Sequence, residues 1–241
     1  MKEINSFKSG LKDGFPICVG YFSVAFAFGI FAVENGLTVL QAVIISLTNL
    51  TSAGQLAGVP IMTGGGSLIE IAVSQLIINS RYSLMSVSLA QKFSKNVKLK
   101  DKLLIAYGNT DEIFAVAVSQ KGEIGKKYMW GLIALPVIGW SFGTLLGGVA
   151  GNILPATVTA ALGLAIYGMF TAIVVPAAKK EKATALCVLL SIALSCAFKY
   201  IPLLGKVPSG FTVIICAVAA SVIFALLAPI KTDDGEVTEN A

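Results

Sequence analysis

The chain has 241 residues, of which 56% are apolar and 13% charged, about half the charged fraction of an ordinary soluble domain. Stretches 14–33, 35–69, 128–178 and 207–230 carry no charged side chain, and uncharged apolar runs of about 18 or more residues read as membrane spans. A soluble enzyme, a nucleic-acid binder and a disordered chain are excluded; the pattern specifies a polytopic integral membrane protein.

The net charge of +5 comes from eighteen basic residues, all lysine except Arg81. The lysines cluster at Lys2, Lys8 and Lys12, in 92–102, in 121–127 and in 179–182, each cluster beside an apolar run. That is how topology-setting charge is distributed, and clusters without arginine or interleaved aromatics are poor nucleic-acid surfaces.

Eight apolar segments follow in order: 15–33, 38–62, 68–90, 103–120, 128–150, 154–178, 183–201 and 209–230. Spanning structures are helices or closed barrels, and runs without dyad alternation favour helices. The reading is an all-α bundle of 6–8 segments. Residues 1–14 form a cytoplasmic tail, 15–230 one membrane transport domain, and 231–241 an acidic, disordered tail. The first segment contains Ala25-Phe26-Ala27, which imitates a signal cleavage site. The apolar stretch exceeds a signal h-region of about 7–15 residues, so it reads as a retained span.

Two segments are expected to be discontinuous. In 38–62 an apolar half meets Thr51-Ser52-Ala53-Gly54-Gln55 before a second half ending at Pro60. In 103–120, Gly108-Asn109 interrupts the run ahead of Thr110-Asp111-Glu112. Asn109 or Thr110 suits an N-cap, with two acids in the first turn. If all eight segments cross from an internal N-terminus, the five lysines of 92–102 lie outside, against the positive-inside rule. If 38–62 and 103–120 re-enter, only Lys199 and Lys206 among the clustered loops lie outside. The second topology fits better.

Between them lies 68–90, with Arg81 at its middle. An arginine at the centre of a membrane helix costs about 2.5–3.5 kcal/mol on insertion scales. At 100° per residue, Glu70, Ser74, Arg81 and Ser88 form one stripe, with Gln75, Asn79, Tyr82 and Ser86 beside it. Such a helix lines an enclosed or watery interior. Asp111 and Glu112 are its natural counter-charges, whereas Glu70, near a segment end, is expected at the interface.

Later segments offer fewer landmarks. Pro16-Ile17, Gly20-Tyr21 and Ser23 are echoed by Pro136-Val137, Gly139-Trp140 and Ser141, a faint symmetry of the kind transporters built from repeats display. Histidine is absent, and Cys18, Cys187, Cys196 and Cys216 sit singly in apolar runs. No metal site, cofactor motif or histidine-based triad is expected, and so no enzyme.

Ser52-Ala53-Gly54-Gln55, Asn79-Ser80-Arg81-Tyr82 and Thr110-Asp111-Glu112, at these separations, resemble the AzlC family of membrane permeases, linked to branched-chain amino-acid export and azaleucine resistance. The resemblance runs from about Gly10 to Pro229. It implies a bacterial or archaeal cytoplasmic (inner) membrane exporter working with a small AzlD-type membrane subunit. The family often has histidine after the arginine, where this chain has Tyr82, so a proton relay is not implied there.

Export of a branched-chain or other apolar amino acid fits these residues. The substrate carboxylate needs a cation or free backbone N–H groups, available at Arg81 and at the break carrying Ser52, Gly54 and Gln55. The ammonium needs an anion or carbonyls, available at Asp111 or Glu112, with Asn79 beside them. The alternatives are a passive channel for a small polar solute, using the same polar breaks as a filter, and a membrane scaffold whose ion pairs are structural.

Overall fold

The computed structural model describes residues 4–155, 157, 158, 168, 171, 174–176, 178, 179, 181–202 and 204–227. Its elements are helical, with backbone bridges but no strand among the described residues. They fall into two compact units, 1–171 and 172–241, a boundary that the uniformly apolar sequence does not mark.

The first unit contains α1 (Phe7–Glu34), α2 (Val39–Thr48), α3 (Ser52–Thr63), α4 (Leu68–Lys92), α5 (Leu99–Tyr107), α6 (Asp111–Ser119) and α7 (Lys126–Gly151). The second contains α8 (Lys182–Tyr200), a 3₁₀ turn at Leu204–Lys206 and α9 (Ser209–Leu227). Helices α1, α7, α8 and α9 are long and apolar enough to cross a membrane. The segments 38–62 and 103–120 are each two short helices, as the sequence requires. Segment 154–178 and the tail 231–241 lie largely or wholly outside the described residues.

Local chemistry sets the helix starts. Ser6, Thr38, Thr51 and Ser67 each accept an N–H bond from three residues on, at 3.1 to 3.3 Å, which satisfies one orphan donor of each first turn. The first helix begins at Phe7, well ahead of the apolar segment's start at 15, because Ser6 caps it. A polar first turn can therefore extend a span beyond its apolar stretch.

Helices α1 and α7 form the spine. They run parallel in close register, Cys18 lying against Gly139, Phe22 against Gly143, Phe26 against Gly147 and Ile30 against Gly151. A Cβ on Gly143 would come within 2.5 Å of the Phe22 carbonyl oxygen, and one on Gly147 would collide with that of Phe26. Without a hydrophobic drive between helices in lipid, small residues permit this approach and van der Waals contact stabilises it.

One end of the unit is clasped by backbone. Ile4 and Phe93 both bridge to Ile124, with Ile4 N–H donating to Glu123 C=O at 2.9 Å, Ile124 N–H to Lys92 C=O at 2.9 Å and Ser94 N–H to Ile124 C=O at 3.0 Å. Lys126 adds an ion pair to Asp101 at 3.5 Å. The start of α1, the end of α4 and the start of α7 therefore share this end. The pair α5–α6 leaves it at Leu99 and returns to it after Ser119. The pair α2–α3 begins five residues after α1 has reached the far end, and stops just before α4 starts back. Each discontinuous segment thus re-enters, from opposite ends, and their breaks meet in the middle.

Candidate functional site

The first break, 49–51, is extended at Asn49 (φ −143°, ψ 101°) and at Thr51 (φ −104°, ψ 109°). Extended residues end α2 and leave its last carbonyls without helical partners. Side chains take them over. Gln55, 1% exposed, donates from Nε2 to the Asn49 carbonyl at 2.6 Å and to Ser46 Oγ at 3.3 Å. Tyr107, on the other broken segment, donates to the Leu47 carbonyl at 2.5 Å. Ser46 lies 2.7 Å from Thr144 Oγ1, tying the break to the spine. Gln75 of α4 donates from Nε2 to the Gly54 carbonyl at 2.8 Å and accepts from Asn79 Nδ2 at 3.1 Å.

The second break, 108–110, carries charge. Thr110 occupies the N-cap position of α6, but no hydrogen bond from its side chain caps the helix; its Oγ1 instead lies 2.6 Å from the Tyr21 hydroxyl of α1. Tyr21 donates to Glu112 Oε2 at 2.5 Å and packs edge-on against Trp140, centroids 5.2 Å apart. Arg81 donates from Nη1 to Asp111 Oδ1 at 2.6 Å. Its Nη2 reaches the Tyr82 hydroxyl at 3.2 Å, with the guanidinium 4.8 Å from that ring's centroid. Tyr82 and Thr51 line the same space between the breaks. A chain Asp111–Arg81–Tyr82 therefore leads from the charged break toward the neutral one.

Between the breaks lies a cavity of about 240 Å³. It is lined by Thr48–Thr51 from the first break, by Ala106, Tyr107, Asn109 and Thr110 from the second, and by Asn79 and Tyr82 from α4. Small-molecule sites occupy roughly 300–1,000 Å³, so this space suits a small solute. The C-terminal ends of α2 and α5 and the N-terminal ends of α3 and α6 all stand beside it, giving both signs of helix-end charge.

The structure brings together most of the residues the sequence singled out, with corrections. Arg81 pairs with Asp111, half-exposed at 50% and 47%; Glu112 takes Tyr21 instead. Asn79 lines the cavity. Gln55 and the Gly54 carbonyl act one layer behind it, as braces of the first break, and Ser52 opens α3 just past its cap. The proposed stripe on α4 is divided: Glu70 and Ser74 are buried, whereas Arg81 and Ser88 are exposed. Glu70, expected at the interface, is 4% exposed beside Gly66 of the α3–α4 turn. A single helical stripe cannot stay on one surface when a re-entrant segment covers only part of its length.

Sequence reasoning missed Tyr21, Tyr107 and the Ser46–Thr144 contact. Tyr21 and Thr144 stand singly in apolar runs, and Tyr107 and Ser46 precede the breaks without any spacing that marks their partners. Asn109 was read as a breaker or cap, and its place on the cavity wall depends on the second segment meeting the first.

A model of the AzlC protein family matches residues 16–154, more than half of the chain. The chain belongs to the AzlC family. The inner membrane protein YgaZ of Escherichia coli (strain K12) is 30% identical over 191 residues, 76% of this chain and 77% of that protein. An uncharacterized membrane protein of Archaeoglobus fulgidus is 33% identical over 172 residues, 70% of this chain and 75% of its own. The branched-chain amino acid transport protein AzlC of Bacillus subtilis (strain 168) is 21% identical over 180 residues, 73% of this chain and 70% of that protein. No solved structure matches. The chain is thus a helical membrane protein of the AzlC family, related to a branched-chain amino-acid transport protein. All the residues of the site lie within the matched span 16–154.

Proposed function

We propose that the chain is a secondary transporter that exports branched-chain or other apolar amino acids across a bacterial or archaeal cytoplasmic membrane. The observation that carries this reading is the meeting of two oppositely re-entrant broken helices at one polar cavity. Discontinuous helices near the membrane midplane are where secondary transporters hold ions and charged substrate groups. A zwitterion needs both signs of partial charge, and the four helix ends at the cavity offer both. The substrate side chain is apolar and needs only a greasy wall, which Leu50 and Ala106 begin to supply. Arg81, Asp111 and Glu112 stand beside the cavity, and Ser52, Gly54, Gln55 and Asn79 shape it.

The end bearing the clasp also carries the lysines of 92–102 and 121–127, so it faces the cytoplasm in this reading. A small AzlD-type subunit is proposed as partner, on the family relationship; α8, none of whose side chains is buried, has surface to offer it. Counterflow of labelled leucine into liposomes holding the purified chain, with and without the small subunit, tests the function. Saturable, stereoselective exchange supports it. Non-saturable flux of small polar solutes would favour a channel, and no flux in either preparation would favour a scaffold.

A further inference from the structure

The cavity wall holds two acceptors with nothing to accept. Asn79 Oδ1 and Asn109 Oδ1 are buried and have no hydrogen-bond partner, and both residues line the cavity. Buried polar atoms are nearly always paired, so each exception calls for a reason.

The amide orientations follow from neighbours. A backbone carbonyl can only accept, so Gln75 must turn Nε2 to Gly54, at 2.8 Å. Its Oε1 then faces Asn79 and Asn49, which present their Nδ2 groups at 3.1 and 3.4 Å. The Gly54 carbonyl thereby dictates, through Gln75, that Asn79 keeps its oxygen free. Asn109, 4% exposed, spends Nδ2 on Ser86 Oγ at 3.1 Å. Its oxygen is left over in this arrangement; the partner here is a hydroxyl, so the orientation is set by the bond it makes and not by an obligate acceptor such as the Gly54 carbonyl.

The surroundings favour a cation of single charge. The negative ends of α2 and α5 and the positive ends of α3 and α6 all stand at the cavity, so the helix dipoles oppose one another and the two free acceptor oxygens decide the sign. No described lining residue is charged, and the nearest carboxylates are engaged, Asp111 by Arg81 and Glu112 by Tyr21. Divalent cations are held mainly through carboxylates, whereas an anion at this point would meet two carbonyl oxygens.

We propose that Asn79 Oδ1 and Asn109 Oδ1 form a site for a small monovalent cation, filled either by the primary ammonium of an amino-acid substrate or by an alkali ion. The ammonium occupant rests on the export reading; the alkali occupant does not. In either case the polar contact comes from amide oxygens rather than from the carboxyl groups next door.

Equilibrium binding to the purified full-length chain tests the site, with labelled leucine and radiolabelled sodium as probes. Asn109→Asp keeps the side-chain shape and adds a negative charge, and should tighten binding of the cationic probe at least tenfold. Asn79→Leu and Asn109→Leu should weaken it at least tenfold. Leucine binding that isocaproate, which lacks the ammonium, does not displace would identify the ammonium as occupant. Sodium retained without leucine would identify the alkali ion. Absence of both probes from folded wild-type chain, or unchanged binding in folded Asn109→Asp and Asn109→Leu, would overturn the site. Leucine counterflow that persists with unchanged binding in those variants would remove the cation site and leave export standing. Sodium binding without leucine counterflow would do the reverse.

Discussion

The two helix breaks have the same layout and opposite chemistry. Each ends a short helix, runs through about three non-helical residues and restarts at a threonine N-cap, Thr51 or Thr110. At 49–51 the freed groups are held by neutral partners: Thr51 caps its own helix, and Gln55, Tyr107 and Gln75 bind carbonyls. At 108–110 the cap hydroxyl is given to Tyr21, and the first turn of α6 carries Asp111 and Glu112. A neutral break can be sealed and rigid. A charged one stays dependent on partners from α1 and α4, which makes it the part whose state another element can change. The difference assigns bracing to the first break and response to the second.

Removing the charge at the second break should have the largest effect. Asp111→Asn leaves Arg81 without its counter-charge, at a cost of about 2.5–3.5 kcal/mol on insertion scales if it stays in the membrane. Transport should fall by well over tenfold, about 1.4 kcal/mol per decade. Arg81→Lys keeps a charge for Asp111 but cannot also reach Tyr82, since lysine lacks the fork. It should express normally and lose about tenfold in leucine counterflow. Normal counterflow in both variants at normal expression would remove these residues from the site and erase the contrast between the breaks.

The neutral break should answer differently, through stability. Gln55→Leu leaves the Asn49 carbonyl unpartnered in a buried place, a penalty of about 1–3 kcal/mol. Thermal unfolding in detergent should shift down, while substrate affinity per folded molecule changes little. Equal stability with a selective loss of affinity would show that Gln55 touches substrate rather than braces the loop.

The mildest change is Tyr21→Phe. It deletes the bond to Glu112 and the contact with Thr110 but keeps the ring against Trp140. A typical hydrogen bond contributes about 0.5–1.5 kcal/mol, more to a charged group, so stability should drop by about 1–2 kcal/mol. Leucine counterflow per folded molecule should fall in this variant and stay put in Gln55→Leu. Equal counterflow in the two variants would deny the second break its responsive role.

Much of this was written in the sequence, for reasons that can be located. The breaks were legible because Gly, Asn and Thr cluster where a long apolar run should continue, and re-entry because five lysines lie in 92–102. The choice of Asp111 over Glu112 was not legible. Adjacent helical residues differ by about 100° in direction, and only the placement of α4 and α1 decides which acid meets arginine and which meets tyrosine. The parallel pairing of α1 with α7 was visible only as a faint echo of Gly20-Tyr21 in Gly139-Trp140; in space the Tyr21 and Trp140 rings meet edge-on. The unpaired oxygens of Asn79 and Asn109 depend on a relay through Gln75 and on Ser86, contacts that no linear spacing encodes.

The central claim is that substrate sits where the breaks meet. Thr48 lines the cavity, so Thr48→Cys, in a chain with Cys18, Cys187, Cys196 and Cys216 replaced by serine or alanine, places a single thiol at the site. The rate at which a small maleimide modifies it should fall severalfold with saturating leucine and not at all with isocaproate. A rate unchanged by leucine, in protein that still catalyses leucine counterflow, would put the substrate elsewhere and contradict the account.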